Sequence, residues 1–166
     1  MHRNIILIGF MGTGKSTVGH ALAAALNWTF VDMDERIVEK AGQSIPEIFA
    51  AHGEAYFRDL ESDVLHELAG GAKQVIATGG GAVLRPANRE VMLKGGLVVN
   101  LKADVETIIR RVKGDANRPL LAGDVEERVR KLLQERRGMY DYAHLAIDTS
   151  SMQVDEIVRT ILTHAT

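Results

Sequence analysis

Apolar stretches of strand length alternate with amphipathic stretches of helix length along the whole chain. The runs at residues 4–9, 29–32, 74–78, 97–101 and 143–148 are continuous rather than alternating in pattern, as expected of parallel strands covered on both faces. Between them, residues 15–26, 53–69, 86–94, 104–112 and 125–137 carry helical spacing. In the second of these, Phe57, Leu60, Val64 and Leu68 recur at steps of three and four, which makes one apolar stripe. Ser44-x-x-Glu47 has the form of a capping box and opens a shorter helix just before that stripe. A last helix is predicted over about 154–163. Strand–helix alternation of this kind predicts an α/β fold: a three-layer α/β/α sandwich around a five-stranded parallel sheet, in one domain spanning residues 1–166.

One stretch breaks the rhythm. Residues 113–124 are poor in core side chains and contain Gly114, Pro119 and Gly123. A loop of that length inside a compact domain is either a lid or binding loop, or a plain surface excursion.

Composition narrows the field by exclusion. The 20 basic and 22 acidic side chains nearly balance, which argues against nucleic-acid or membrane partners that need a basic face, while leaving room for a local basic cleft. There is no cysteine, so disulfides, thiolate metal sites and cysteine nucleophiles are excluded. The six histidines lack ligand spacing and read as surface or packing residues. The apolar stretch Ile5-Ile6-Leu7-Ile8 is too short for a signal-peptide core or a membrane span, so a cytoplasmic protein is expected.

The chemistry starts at Gly9-Phe10-Met11-Gly12-Thr13-Gly14-Lys15-Ser16, which fits G-x-x-x-x-G-K-S/T, follows an apolar strand and opens a helix. Glycines let the backbone curl so that N–H groups converge on phosphate oxygens, and the helix N-terminus adds positive potential. Lys15 is suited to the β- and γ-phosphates and the Ser16 hydroxyl to Mg²⁺. The chain has no N-K-x-D stretch of the kind that reads guanine, which favours a small-molecule kinase over a switch protein.

Phe30-Val31-Asp32-Met33-Asp34 then sets two acids, two residues apart, at the end of a strand. Extended alternation points both to one side, at the sheet edge where ligands bind in open α/β folds. Asp32 suits the Mg²⁺ shell, through water. Asp34 could receive the proton of an acceptor hydroxyl, cap a helix beginning at Glu35, or do both.

The stretch Gly9–Gly19 followed by Asp32-Met33-Asp34 resembles the shikimate kinase family. The resemblance continues through Gly53-Glu54-Ala55-Tyr56-Phe57-Arg58-Asp59-Leu60-Glu61, Thr78-Gly79-Gly80-Gly81, Arg118-Pro119-Leu120-Leu121 and Glu135-Arg136, in the family's order and spacing. It implies a nucleoside-monophosphate-kinase-like P-loop fold with an acceptor-binding segment at about 33–61 and a lid at about 113–124. It implies ATP and Mg²⁺ as cofactors, held by Gly12, Thr13, Gly14, Lys15, Ser16 and Thr17, with Asp32 beside the metal. Arg118 would neutralise charge on the transferring phosphoryl group, although by its sequence alone it is equally a solvated loop charge. Arg111 would flank the adenine and Gln153 contact it. Arg58 and Arg136 would bind the carboxylate of shikimate, with Asp34 on ring hydroxyls and Glu61, three residues after Arg58 on a helix, holding that guanidinium ready. Gly79, Gly80 and Gly81 would let backbone approach the ring, the alternative being a plain strand-end turn.

The chain departs from the family where many members have Asn-Pro-Leu-Tyr after the binding arginine. Here the residues are Arg137-Gly138-Met139-Tyr140, so Arg137 could share or replace the role of Arg136. Trp28 and the other aromatics read as packing. Partners are then expected to be the small molecules ATP and shikimate, with no nucleic acid, no membrane and a monomeric state. Two rivals remain at this level: a kinase of another small metabolite, such as gluconate or a nucleoside monophosphate, and a nucleotide-binding regulatory module without catalysis.

Overall fold

The computed structural model describes residues 2–113 and 124–165. Five strands, β1 (Asn4–Ile8), β2 (Thr29–Asp32), β3 (Gln74–Ala77), β4 (Leu97–Lys102) and β5 (Leu145–Asp148), form one sheet in the order β2-β3-β1-β4-β5. Every pairing is parallel, with Ile6 opposite Ile76 on one side and Val98 on the other. The expected five-stranded parallel sheet is therefore present. The last strand is shorter than its apolar run, beginning at Leu145 rather than at residue 143.

β1 lies at the centre because nothing in it needs water. Ile5, Ile6, Leu7 and Ile8 are all fully buried, and each contributes about 2–3 kcal/mol of hydrophobic stabilisation. Alternation divides them between two cores. Ile6 and Ile8 pack with Ile37, Ile48, Leu65 and Met92; these come from α2 (Met33–Ala41), α3 (Ile45–Ala69) and α4 (Pro86–Gly95). Ile5 and Leu7 pack on the opposite face with Leu22, Ile157 and Ile161, from α1 (Lys15–Leu26) and α7 (Val154–Ala165). This is the three-layer sandwich. A third cluster joins Phe10 and Met11 to Ile108, Val112 and Val129. It seats α5 (Val105–Lys113) and α6 (Val125–Glu135) beside the loop that follows β1.

The start of β1 is pinned by a polar residue. Asn4 is fully buried, donates through Nδ2 to the carbonyls of Gly71 (3.1 Å) and Gly95 (3.0 Å), and accepts from Gln74 N (3.2 Å). The end of the sheet carrying the Asn4 hub is thus locked, and the opposite edge is left to carry a site.

Two expectations need correction here. The strand ends at Asp32 and the chain turns at once into α2, a helix absent from the apolar-periodicity reading. Its cap is Asp32, not Asp34: Asp32 Oδ1 accepts from Asp34 N (2.9 Å) and Glu35 N (3.3 Å). The Ser44–Glu47 capping box is formed as predicted, and the two helices that it separates run together through a kink at Gly53. α6 stops at Glu135, so Arg136 is its cap and Arg137 follows the helix.

Candidate active site

The loop between β1 and α1 closes around backbone. Gly12 and Gly14 both sit in the left-handed region (φ 78° and 96°), where any other residue is strained. Those turns place the N-terminus of α1 over the end of β1. Thr13 is buried and points inward, its hydroxyl donating to Phe10 O at 2.7 Å, so Thr13 can offer a ligand only its backbone. Lys15 crosses the loop, with Nζ 2.7 Å from Gly9 O and 3.0 Å from Phe10 O. Ser16 and Thr17 open the helix and are exposed.

A cleft of about 1040 Å³ starts at this loop and runs across the C-terminal edge of the sheet. Gly12, Gly14, Lys15, Ser16, Thr17 and Arg111 line one end; Asp34, Arg58, Glu61, Gly79, Gly80, Gly81 and Arg136 line the other, with Asp32 between. Lys15, Asp34 and Arg58, from three separate elements, open onto one space. Val38, Ile45, Pro46, Phe49 and Phe57 add an apolar wall.

The acceptor end is built from charges that the sequence alone would leave in solvent. Glu61 is 1% exposed, and its Oε1 takes a 3.0 Å hydrogen bond from Arg58 Nη1. Burial pushes the Glu61 carboxyl above its ordinary value, and the Arg58 guanidinium pulls it part of the way back. Arg58 Nε is buried without a hydrogen-bond acceptor among the described residues; Glu54 Oε1 stands 3.7 Å away, too far for a hydrogen bond. Arg136 Nη1 is likewise buried and without an acceptor. Two such guanidinium donors in one cleft are costly unless a ligand oxygen satisfies them.

The three glycines do more than was read from sequence. A Cβ on Gly79 would lie 2.8 Å from Asp34 Oδ1, one on Gly80 would lie 2.8 Å from Arg136 Nη1, and one on Gly81 would lie 2.6 Å from Arg58 Cζ. Each glycine therefore lies against a different acceptor-end side chain. The β3 end is a floor on which Asp34, Arg136 and Arg58 rest.

The remaining candidates divide. Arg111 Nη1 donates to Gly12 O (2.9 Å) and Nη2 to Thr149 O (3.3 Å), which ties the nucleotide end to the residue after β5. Gln153 is exposed at the start of α7 and does not line the cleft. Arg137 is exposed and lines only a smaller neighbouring cavity, so Arg136 alone of the pair reaches the main cleft. Gly138 takes φ 82°, which proline cannot adopt, so this turn follows its own path. Arg118 and the body of the 113–124 segment lie outside the described residues. Tyr140, read as packing, was missed: its hydroxyl donates to Gly80 O at 3.2 Å.

A phosphate loop on the central strand, two acids at the end of the next strand and an arginine-lined cavity opposite define a P-loop protein of the small-metabolite kinase class. Comparison with known proteins narrows the class. The family model described as shikimate kinase matches residues 11–166. The chain is 49% identical over 162 residues to a shikimate kinase of Geobacter sulfurreducens, covering 97% of this chain and 90% of that one. It is 46% identical over 161 residues to a shikimate kinase of Pelotomaculum thermopropionicum, covering 96% and 94%. The structure of a shikimate kinase from Acinetobacter baumannii in complex with shikimate matches with a TM-score of 0.91 at 41% identity, covering 98% of this chain and 92% of that one. The chain belongs to the shikimate kinase family.

Proposed function

We propose that the protein transfers the γ-phosphoryl group of ATP to the 3-hydroxyl of shikimate, giving shikimate 3-phosphate and ADP on the route to chorismate and the aromatic amino acids. The observation that carries this reading is the pair of buried donors, on Arg58 and Arg136, facing the phosphate loop across one cleft. A cyclic alcohol bearing a carboxylate answers both needs: its carboxylate accepts from the two arginines, and its hydroxyls meet Asp34. Family membership supports the same substrate.

The residues divide the work as phosphoryl transfer requires, by positioning and charge neutralisation rather than covalent chemistry. Backbone N–H groups of Gly12, Thr13 and Gly14 receive phosphate oxygens, with Thr17 beside them. Lys15 leaves its loop carbonyls for the β- and γ-phosphates. Asp34 accepts a hydrogen bond from the attacking hydroxyl and takes up its proton. Glu61 keeps the Arg58 fork in register, so binding energy is fixed at a point remote from the reacting oxygen. Arg111 and Gln153 serve the adenine.

Magnesium fits the donor set present. Ser16 hydroxyl and the Asp32 carboxylate are hard oxygen ligands on the cleft wall, and Mg²⁺ takes few protein ligands and keeps its waters. Among the described residues no group of three or more histidines and acids could hold a metal, which accords with an ion that arrives with the nucleotide. When bound, it supplies neutralisation of the β- and γ-phosphate charge. No described helix is long and apolar enough to cross a membrane, which supports the cytoplasm as the compartment, and a monomer is the assembly proposed.

The test is coupled ADP release with shikimate, gluconate or a nucleoside monophosphate as acceptor, beside a no-acceptor control. Turnover with shikimate at least a hundredfold above the control is expected. A preference for either other acceptor would give the site to a different metabolite, and equal rates in all four would leave a hydrolase or a catalytically silent module.

A further inference from the structure

Tyr140 has no part in the phosphate or carboxylate sets, yet it touches the acceptor floor. It lies in the turn after α6, half-buried against the core of α3 and α4. That turn is tight: Met139 N donates to Arg136 O at 3.1 Å, and Gly138 turns the chain in the left-handed region. The phenol is thereby folded back toward the arginine four residues before it.

Its hydroxyl donates to Gly80 O at 3.2 Å. Gly80 is the glycine against which the Arg136 guanidinium lies, with Nη1 2.8 Å from where a Cβ would be. On another side Arg136 Cζ stands 5.8 Å from the centre of the Phe10 ring. Packing alone does not fix the arginine, because Arg136 and Tyr140 together line a second cavity of about 210 Å³. Burial pushes the Tyr140 phenol above its ordinary value, and the Arg136 charge offsets only part of that rise. The hydroxyl therefore stays protonated, and a donor, across the working pH range.

We infer that Tyr140 is a positioning residue for the acceptor's carboxylate: through Gly80 it fixes the surface under Arg136 and holds that arginine's free donor toward the cleft. The inference rests on the proposed reading of Arg58 and Arg136 as carboxylate anchors. Tyr140 touches neither substrate, so its effect must travel through Arg136 and fall on one substrate only.

The experiment is steady-state kinetics of wild type, Tyr140→Phe, Arg136→Ala and the double variant, each with both substrates varied. Tyr140→Phe removes one oxygen and is expected to raise the shikimate KM about fivefold, the worth of one ordinary hydrogen bond, with kcat and the ATP KM within about twofold of wild type. The double variant should show a shikimate KM no higher than Arg136→Ala alone, because the two residues act as one element. A merely structural role would lower the folded fraction, and so the apparent kcat, without moving KM. If Tyr140→Phe folds too poorly to assay, Gly80→Ala puts the question from the other side, since its Cβ displaces Arg136 and must raise the shikimate KM alone. An unchanged shikimate KM, an equal rise for both substrates, or full additivity in the double variant overturns the inference. Failure of the wild type itself to phosphorylate shikimate would show in the first arm, sinking the reading of the site and this inference with it.

Discussion

Replacing Gly81 by alanine should weaken acceptor binding through one atom. Gly81 has φ −94° and ψ 0°, a backbone conformation that alanine adopts without strain, so the effect is steric. The new Cβ would lie 2.6 Å from both Cζ and Nη2 of Arg58. Ordinary contact needs about 3.5 Å, so the guanidinium must retreat by about 1 Å. That displacement breaks the 3.0 Å bond to Glu61, a charge-assisted bond worth about 1.5–3 kcal/mol. Glu61 is then buried without its counter-charge, and because burial already raises its pKa, it takes up a proton instead of unfolding the helix. The expected cost to stability is about 2 kcal/mol, a fall in Tm of about 4–8 °C. A similar loss at the acceptor carboxylate raises the shikimate KM about thirtyfold and leaves the ATP KM alone. Gly42→Ala is the control. Gly42 takes φ 69° with no atom within 4 Å of its Cβ position, so alanine there costs about 1–2 kcal/mol of backbone strain and moves neither KM. Differential scanning fluorimetry and coupled ADP release read both effects. A Gly81→Ala enzyme with lowered Tm and a wild-type shikimate KM would refute the reasoning.

Other substitutions separate the phosphate loop, the core and the sheet edge. Lys15→Met should reduce turnover at least about a thousandfold while the melting curve moves little, since only the bonds to Gly9 and Phe10 carbonyls are lost; near-normal turnover would remove Lys15 from the mechanism. Asn4→Ala strands the Gly71 and Gly95 carbonyls and Gln74 N, at about 1 kcal/mol each; Tm should fall steeply while both KM values stay put. His144 accepts a 2.9 Å hydrogen bond from Val98 N through Nδ1, and burial, with His2 nearby, holds its pKa below the ordinary value. A depressed pKa contributes stability that is complete above about pH 6.5 and is lost as pH falls through the lower folded-state value. His144→Ala should therefore flatten the dependence of Tm on pH on the acid side of 6.5, and an unaltered slope would show that another group governs it.

Local chemistry made much of this molecule legible before any coordinates. The phosphate loop could be read because its constraints are contiguous: strand, glycines, lysine and helix start within eight residues. The capping box could be read for the same reason. α2 was missed because Asp32-Met33-Asp34 was read as extended alternation, although an acid followed by Asp34 and Glu35 is also the signature of a capped helix start. The two carboxylates reach the cleft all the same, one as cap and one from the first turn. Arg58 and Glu61 were recognisable as neighbours on a helix, but whether such a pair is solvated or buried depends on β3 passing alongside, which spacing cannot reveal. Contacts among Asp34, Arg58, Gly80 and Arg136 join four elements far apart in the chain. Tyr140 was invisible for that reason, since its partner is sixty residues away.

The central claim is that one cleft brings the tail of ATP to a single hydroxyl of shikimate. Phosphorus NMR of the reaction mixture, following ATP, ADP and the new phosphate ester against a synthetic 3-phosphate standard, tests it most directly. The account predicts one ester resonance at the 3-position, growing in step with ADP, and none with Lys15→Met. ADP accumulating beside free inorganic phosphate, or an ester at another hydroxyl, would contradict it.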